Sequence, residues 1–460
     1  MTSRKLLVVD VVGLTPRHLR DAPGLSALAG EGFVAPLTPS LPAVTCTVQS
    51  SILTGKPPSE TGIVGNGWYF RELSEVWFWR QSNALVEGEK LWETARKRKP
   101  GLTAAKMFWW YNMYSSADWS VTPRPGYPAD GRKIPDVYAQ PPELRTRLNS
   151  KLGTFPLFKF WGPATDISST RWIVDSCLDT LQQQSPDILL AYLPHLDYNL
   201  QRVGPDHPDV ARDVREVDAE ACRLIKAARD RDYDVVVLSE YGITPVERPI
   251  HPNRLLREAG FVRTWKVLDQ WEILDCGACE AFAVADHQLA HVYVKDPGKI
   301  AKVAKVFEGV PGIARVLVGE ERAEVHLDHA RAGELVLVAE PSAWFTYYFW
   351  FDDALAPDYA RTVDIHRKPG YDPVELFLDP ARPLVKGRLA FRLLQKILGF
   401  RYLMDVIPLD ASLVKGSHGA PPPSDDQGPL VLSPDSRLAR DRFKDVELKD
   451  WLLERMGLPG

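Results

Sequence analysis

Three short apolar runs, each leading to a carboxylate, constrain this chain more than any other feature. Leu6-Leu7-Val8-Val9 closes on Asp10, the run from Asp187 through Ile188 to Leu193 leads to Asp197, and the run from Asp234 through Val235 to Ser239 leads to Glu240. Runs this short and this uniformly apolar predict strands buried on both faces, the signature of a parallel sheet covered by helices. Covering helices are legible as well. The piece Leu25 to Ala29 follows the first strand, and Val210, Val214, Val217, Ala221, Leu224, Ile225 and Ala228 keep the spacing of one helical face. The expected architecture is a three-layer α/β core around a central, mostly parallel sheet.

Two stretches break the alternation. Residues 67–170, with Trp68-Tyr69-Phe70, Trp77-Phe78-Trp79 and Trp109-Trp110-Tyr111, are read as an aromatic-rich cap and irregular insertion. Residues 285–340 alternate strand-like and helix-like pieces and are read as a small α+β insertion. The core is then expected in three parts, 1–66, 171–284 and 341–460. The last contains the Pro421-Pro422-Pro423 loop, a strand from Pro429 to Leu432 and C-terminal helices.

A formal charge of -4 and a pI near 6.2 supply no broad basic field, which argues against a nucleic-acid polymer as partner and leaves room for a small anionic substrate. Five scattered cysteines do not make a disulfide framework, and Cys276 and Cys279 lack the second pair that a four-cysteine zinc site needs. Arg4 and Lys5 run straight into the first strand without a leader pattern, and no apolar run approaches the roughly 20 residues of a membrane span. A cytoplasmic protein without an integral membrane segment is expected. The basic, apolar segment Lys386 to Arg401 suits either a peripheral interfacial anchor or a helix packed on the core.

Ligands of open α/β sheets gather outside the carboxyl ends of the strands, so Asp10, Asp197 and Glu240 should face one crevice. Taken singly, each also suits a cap or a loop residue. Three buried like charges together call for neutralisation, which divalent cations supply. Thr45-Cys46-Thr47 leads into the helix-like stretch Val48 to Leu53, so a hydroxyl residue stands at a helix start, where free N–H groups and the positive dipole end favour an anion. Thr45 or Thr47 as a mere N-cap would give the same local pattern.

The order of these elements resembles the type I phosphodiesterase/nucleotide pyrophosphatase family of the alkaline phosphatase superfamily. The resemblance rests on Asp10, on Pro39-Ser40-Leu41-Pro42-Ala43-Val44-Thr45 with Leu53-Thr54-Gly55, and on Thr61-Gly62-Ile63-Val64-Gly65-Asn66. Asp197, Leu238-Ser239-Glu240-Tyr241-Gly242-Ile243 and Gly416-Ser417-His418-Gly419 continue it. It implies an alkaline-phosphatase-like fold and hydrolysis of phosphodiester or pyrophosphate bonds in a small phosphorylated substrate through a phosphothreonine on Thr45. Asn66 would donate to a phosphate oxygen, with Arg367 or Lys368 as further candidates. Two divalent ions are implied, zinc, with manganese or magnesium as alternatives at one site. Asp10, Glu240 and Thr45 would hold one, and Asp197 with His366 or His418 the other. Phosphate monoesters and phosphonates are alternative substrates on the same framework, and a binding protein with decayed chemistry is a third reading. The chain departs from the family in carrying Gln201 four residues after Asp197, where histidine is usual, and Glu240-Tyr241 in place of an Asp-His pair. His251, His287, His291 and His366 are the candidates to replace the missing imidazoles.

Overall fold

The computed structural model describes residues 4–129 and 132–460. Its largest sheet has nine strands: β1 (Lys5–Val11), β2 (Phe33–Thr38), β3 (Ala104–Met107), β4 (Trp119–Pro123), β5 (Val137–Gln140), β6 (Ile188–Leu193), β7 (Tyr233–Leu238), β8 (Leu430–Ser433) and β9 (Phe443–Lys444). Across the sheet they run β9-β2-β8-β7-β1-β6-β3-β4-β5. The three apolar runs are adjacent and parallel at its centre, β1 between β6 and β7, with Asp10 level with Tyr192 on one side and Leu238 on the other. Only β8, third from one edge, and β5, at the other edge, run against their neighbours. Helices α1 (Thr45–Thr54), α2 (Ser168–Gln184), α3 (His195–Val203) and α4 (Val210–Arg229) are among those covering the sheet, and all seven apolar positions expected on the face of α4 are buried.

The stretch expected as a cap contributes to the core sheet. Residues 67–170 supply β3, β4 and β5 to the central sheet. Polar residues inside these short strands hid them: Lys106 is buried in β3, its ammonium donating to the carbonyls of Trp110 at 2.6 Å and Tyr111 at 3.1 Å. The second unit is a four-stranded antiparallel sheet of Ala281–Asp286, Leu289–Val294, Leu335–Ala339 and Ile313–Val318, in that order. It begins a few residues before the expected boundary at 285. It has its own core, which takes in Trp344 to Trp350, Tyr371 and Val406 to Val414. All five cysteines are free, and none of the described helices is long and apolar enough to cross a membrane.

Candidate active site

The seam between the two cores gathers most of the expected residues. Thr45 is the first residue of α1, after an extended Val44, and the helix ends at Gly55 in the left-handed region (φ +68°), whose N–H closes on the Ser51 carbonyl. All ten residues of α1 are buried. One turn beyond Thr45, the Gln49 amide nitrogen donates to Glu240 Oε1 at 2.5 Å and lies 3.3 Å from Asp10 Oδ2, while its oxygen accepts the Trp110 N–H at 2.8 Å. The remaining oxygens, Asp10 Oδ1 and Glu240 Oε2, are buried with no hydrogen-bond partner. Burial raises Asp10 to about 7; burial and then the charge of Asp10 push Glu240 well above the usual carboxylate range.

Asp197 sits in the first turn of α3 rather than on the strand, with Gln201 one turn further along the same face. Gln201 Nε2 donates to Asp197 Oδ2 at 2.8 Å, and the Tyr241 hydroxyl donates to Asp197 Oδ1 at 3.2 Å. That hydroxyl is also 3.2 Å from Thr45 Oγ1, so Tyr241 bridges the threonine and the aspartate. Gly242 lets the Tyr241 loop lie this deep, since a Cβ there would stand 1.7 Å from the Gln427 carbonyl oxygen. Burial raises Asp197 to about 7, against the two hydrogen bonds.

Four rings stack beside this bridge. Tyr241 lies on His418 (centroids 3.5 Å apart, 6° between planes), His418 meets His287 at 3.7 Å with the planes tilted by 39°, and His287 lies on Tyr371 (3.7 Å). The Tyr371 hydroxyl donates to Gln201 Oε1 at 3.0 Å, which closes the loop through Asp197 back to Tyr241. Burial lowers His418 to about 3, and burial with the neighbouring His418 takes His287 well below the usual histidine range, so both rings are neutral near pH 7. His418 Nδ1 donates to the Ala43 carbonyl at 2.8 Å, leaving its lone pair on Nε2.

Asn66 stands behind the start of α1. Its side-chain oxygen accepts the Cys46 N–H at 3.0 Å, and Asp286 grips it from the second sheet, accepting its backbone N–H at 2.7 Å and its amide nitrogen at 3.1 Å. One of the two amide hydrogens is thus committed and the other is left over.

Other candidates lie apart from this network. His366 Nδ1 donates to the Phe78 carbonyl (3.3 Å), and the ring meets Tyr127 edge-on. Lys368 is buried between Asp372 at 2.7 Å and Glu375 at 2.6 Å, and Arg367 is paired with Asp364 at 2.6 Å, so neither cation is directed at an incoming anion. His251 bonds Thr346 and His291 bonds the Val64 carbonyl. Among the described residues, only His195, Asp213 and Glu216 bring three ligand-type groups within 4.8 Å of one another, beside a cavity of about 240 Å³. There Asp213 is already met by Asn199 at 2.5 Å and Arg212 at 3.2 Å. Sequence reasoning missed Gln49, Asp286 and Tyr371 in the network. Gln49 carried a readable signal, being one helical turn from Thr45.

The family described as type I phosphodiesterase/nucleotide pyrophosphatase matches residues 6–372. A curated relative from Schizosaccharomyces pombe, described as an uncharacterized pyrophosphatase/phosphodiesterase, is 24% identical over 268 residues; the match covers 55% of this chain and about half (46%) of that relative's length. Among solved structures, murine ectonucleotide pyrophosphatase/phosphodiesterase 5 superposes with a TM-score of 0.60 at 15% identity, over 99% of this chain and 95% of that one. Phosphonoacetate hydrolase from Sinorhizobium meliloti 1021 gives 0.60 at 14% identity, over 99% and 96%. Both likenesses show the fold.

Proposed function

Because the chain belongs to the type I phosphodiesterase/nucleotide pyrophosphatase family, we propose that it hydrolyses phosphoester bonds of the phosphodiester or pyrophosphate type, with Thr45 as the nucleophile. The observation that carries this reading is Thr45 itself, buried at the start of α1, its hydroxyl held by Tyr241 and Asn66 standing behind it. In this reading the Thr45 oxygen, its proton lost to solvent, attacks phosphorus as the bond to the leaving oxygen breaks, and that oxygen departs with a proton from water. A second water then cleaves the Thr45–phosphorus ester and restores the hydroxyl. The free amide hydrogen of Asn66, with the positive end of the α1 dipole, holds the non-bridging oxygens, the Cys46 N–H being already given to Asn66. Trp79 and Trp110, with ring centroids 4.6 Å apart, offer an apolar wall for the leaving group.

The family is one of divalent-metal-dependent enzymes, and the two expected metal positions differ in how well their residues suit a cation. At the first, the orphaned oxygens of Asp10 and Glu240 beside Thr45 form a hard, oxygen-only set that fits magnesium or manganese better than zinc. A cation bound there would neutralise the carboxylates and ease loss of the Thr45 proton. At the second, the residues do not fit. Both Asp197 oxygens are taken by neutral donors, Gln201 and Tyr241 stand where imidazoles would ligate, and His366 is engaged elsewhere. No step is assigned to a second metal.

The test is hydrolysis of bis-p-nitrophenyl phosphate by wild type and Thr45→Ala, each with magnesium or manganese. Turnover by wild type that drops to background in the variant is expected. Equal rates in the two would sink Thr45 as nucleophile and favour a binding role.

A further inference from the structure

The segment from Lys386 to Arg401 keeps its apolar face turned outward. It forms helix α5 (Val385–Ile397), none of whose residues is buried. Val385 and Leu389 rest on the second core, and Arg388 and Arg392 turn toward Asp405, the latter at 3.2 Å. The opposite arc and its continuation expose Phe391 (56%), Leu393 (44%), Leu394 (50%), Ile397 (80%), Leu398 (62%) and Phe400 (63%). An amphipathic helix packed on a core shows the reverse orientation, apolar side in and charged side out. The patch continues onto Phe158, 48% exposed, whose ring lies 5.5 Å from Lys396 Nζ. Contiguous apolar surface of this kind marks an interaction site.

Charge identifies the occupant. Residues 385–405 contain five cations and one carboxylate, Asp405, which pairs with Arg388 and Arg392, so Lys386, Lys396 and Arg401 are the charges left for a partner, in a chain whose formal charge is -4. A second copy docked through the same face would bring like charges together across a two-fold axis. An anionic surface has the complementary sign. An outward row of Phe, Leu and Ile flanked by lysine and arginine whose stems reach past the apolar side chains is the pattern of a helix lying in a lipid interface. We propose that α5 and the turn after it seat the protein peripherally on a bilayer surface containing anionic lipid.

The test is co-sedimentation of the full chain with phosphatidylcholine vesicles, with and without phosphatidylserine. Pelleting with the anionic vesicles alone, reversed by raising salt, is expected. The pair Phe391→Glu and Leu394→Glu should abolish pelleting while far-UV circular dichroism and the thermal midpoint stay as in wild type. Neutralising Lys386 and Lys396 to Gln should weaken binding roughly five-fold per lysine. Wild type that stays in the supernatant with every vesicle, or a Phe391→Glu/Leu394→Glu variant that pellets as wild type does, overturns the assignment. So does an oligomer in wild type that the same variant dissolves in the absence of lipid, which would give the face to self-association.

Discussion

Replacing Tyr241 by phenylalanine removes one oxygen and leaves the ring free to stay on His418, 3.5 Å away. The lost hydroxyl makes two contacts, to Asp197 Oδ1 and to Thr45 Oγ1, both 3.2 Å. These are long for O–H···O bonds, whose optimum is about 2.7–2.8 Å, so each belongs at the weak end of its range. A bond to a carboxylate at that end is worth about 1.5 kcal/mol and one between hydroxyls about 0.5, a loss of roughly 2 kcal/mol in stability. Asp197 keeps only the Gln201 donor, so its carboxyl, already near 7, moves further up and carries a proton more often at neutral pH. Thr45 loses the partner that aims its hydroxyl, and misalignment of a nucleophile costs on the order of ten- to a hundred-fold in kcat with little change in KM. Urea unfolding followed by circular dichroism measures the first effect, and initial rates on bis-p-nitrophenyl phosphate the second. A variant as stable as wild type, with kcat within about two-fold, would refute the bridge as described.

Asp286→Ala should cost about 3 kcal/mol, from two hydrogen bonds of Asn66 left open in a buried place, and should raise KM along with lowering kcat, as denaturation and steady-state kinetics would register. Metal analysis after loading with manganese should return one ion per chain, and Asp10→Asn should lower that figure; two ions would contradict the poor fit at Asp197. With cations chelated, stability should fall as pH rises from about 6.5 to about 8. Asp10 and Asp197, near 7, and Glu240, higher still, keep protons in the folded state that the unfolded chain has already released, so the native state binds more protons and loses about 1 kcal/mol per carboxyl over that interval. Buried histidines such as His418, lowered from 6.5 to about 3, oppose this trend mainly below that window, and by about 0.4 kcal/mol each at its lower end, where the unfolded ring still holds part of its proton. Thermal midpoints in chelator that stay level or climb across it would count against the protonated carboxylates.

The centre of the fold was legible because its strands are apolar throughout: Leu6 to Val9, Ile188 to Leu193 and Val235 to Leu238 have no polar interruption to disguise them. Strands β3 to β5 were not, because Lys106, Ser120 and Thr122 are buried polar residues in strands of four or five. In the candidate site, Asp10, Thr45 and Glu240 were expected from their positions along the chain, and the fold brings them together around Gln49. Asp197 also emerged, although it stands on a helix. What sequence order does not encode is pairing across the seam: Asp286 meets Asn66, and Tyr371 meets Gln201, only after two sheets dock. His366 was a candidate ligand in the sequence, whereas its contacts are with Phe78 and Tyr127.

The distances along the chain between partners bear on biogenesis. Thr45 and Tyr241 are 196 residues apart, Asn66 and Asp286 are 220 apart, and the Ala43 carbonyl waits 375 residues for His418. During vectorial synthesis α1 therefore remains without the full set of these neighbours until residue 418 has left the ribosome. A nascent chain arrested before residue 418 carries Thr45 and Asn66 but lacks the ring that rests on Tyr241. Contacts this remote are slow to form, so acquisition of the site should be the last event of maturation.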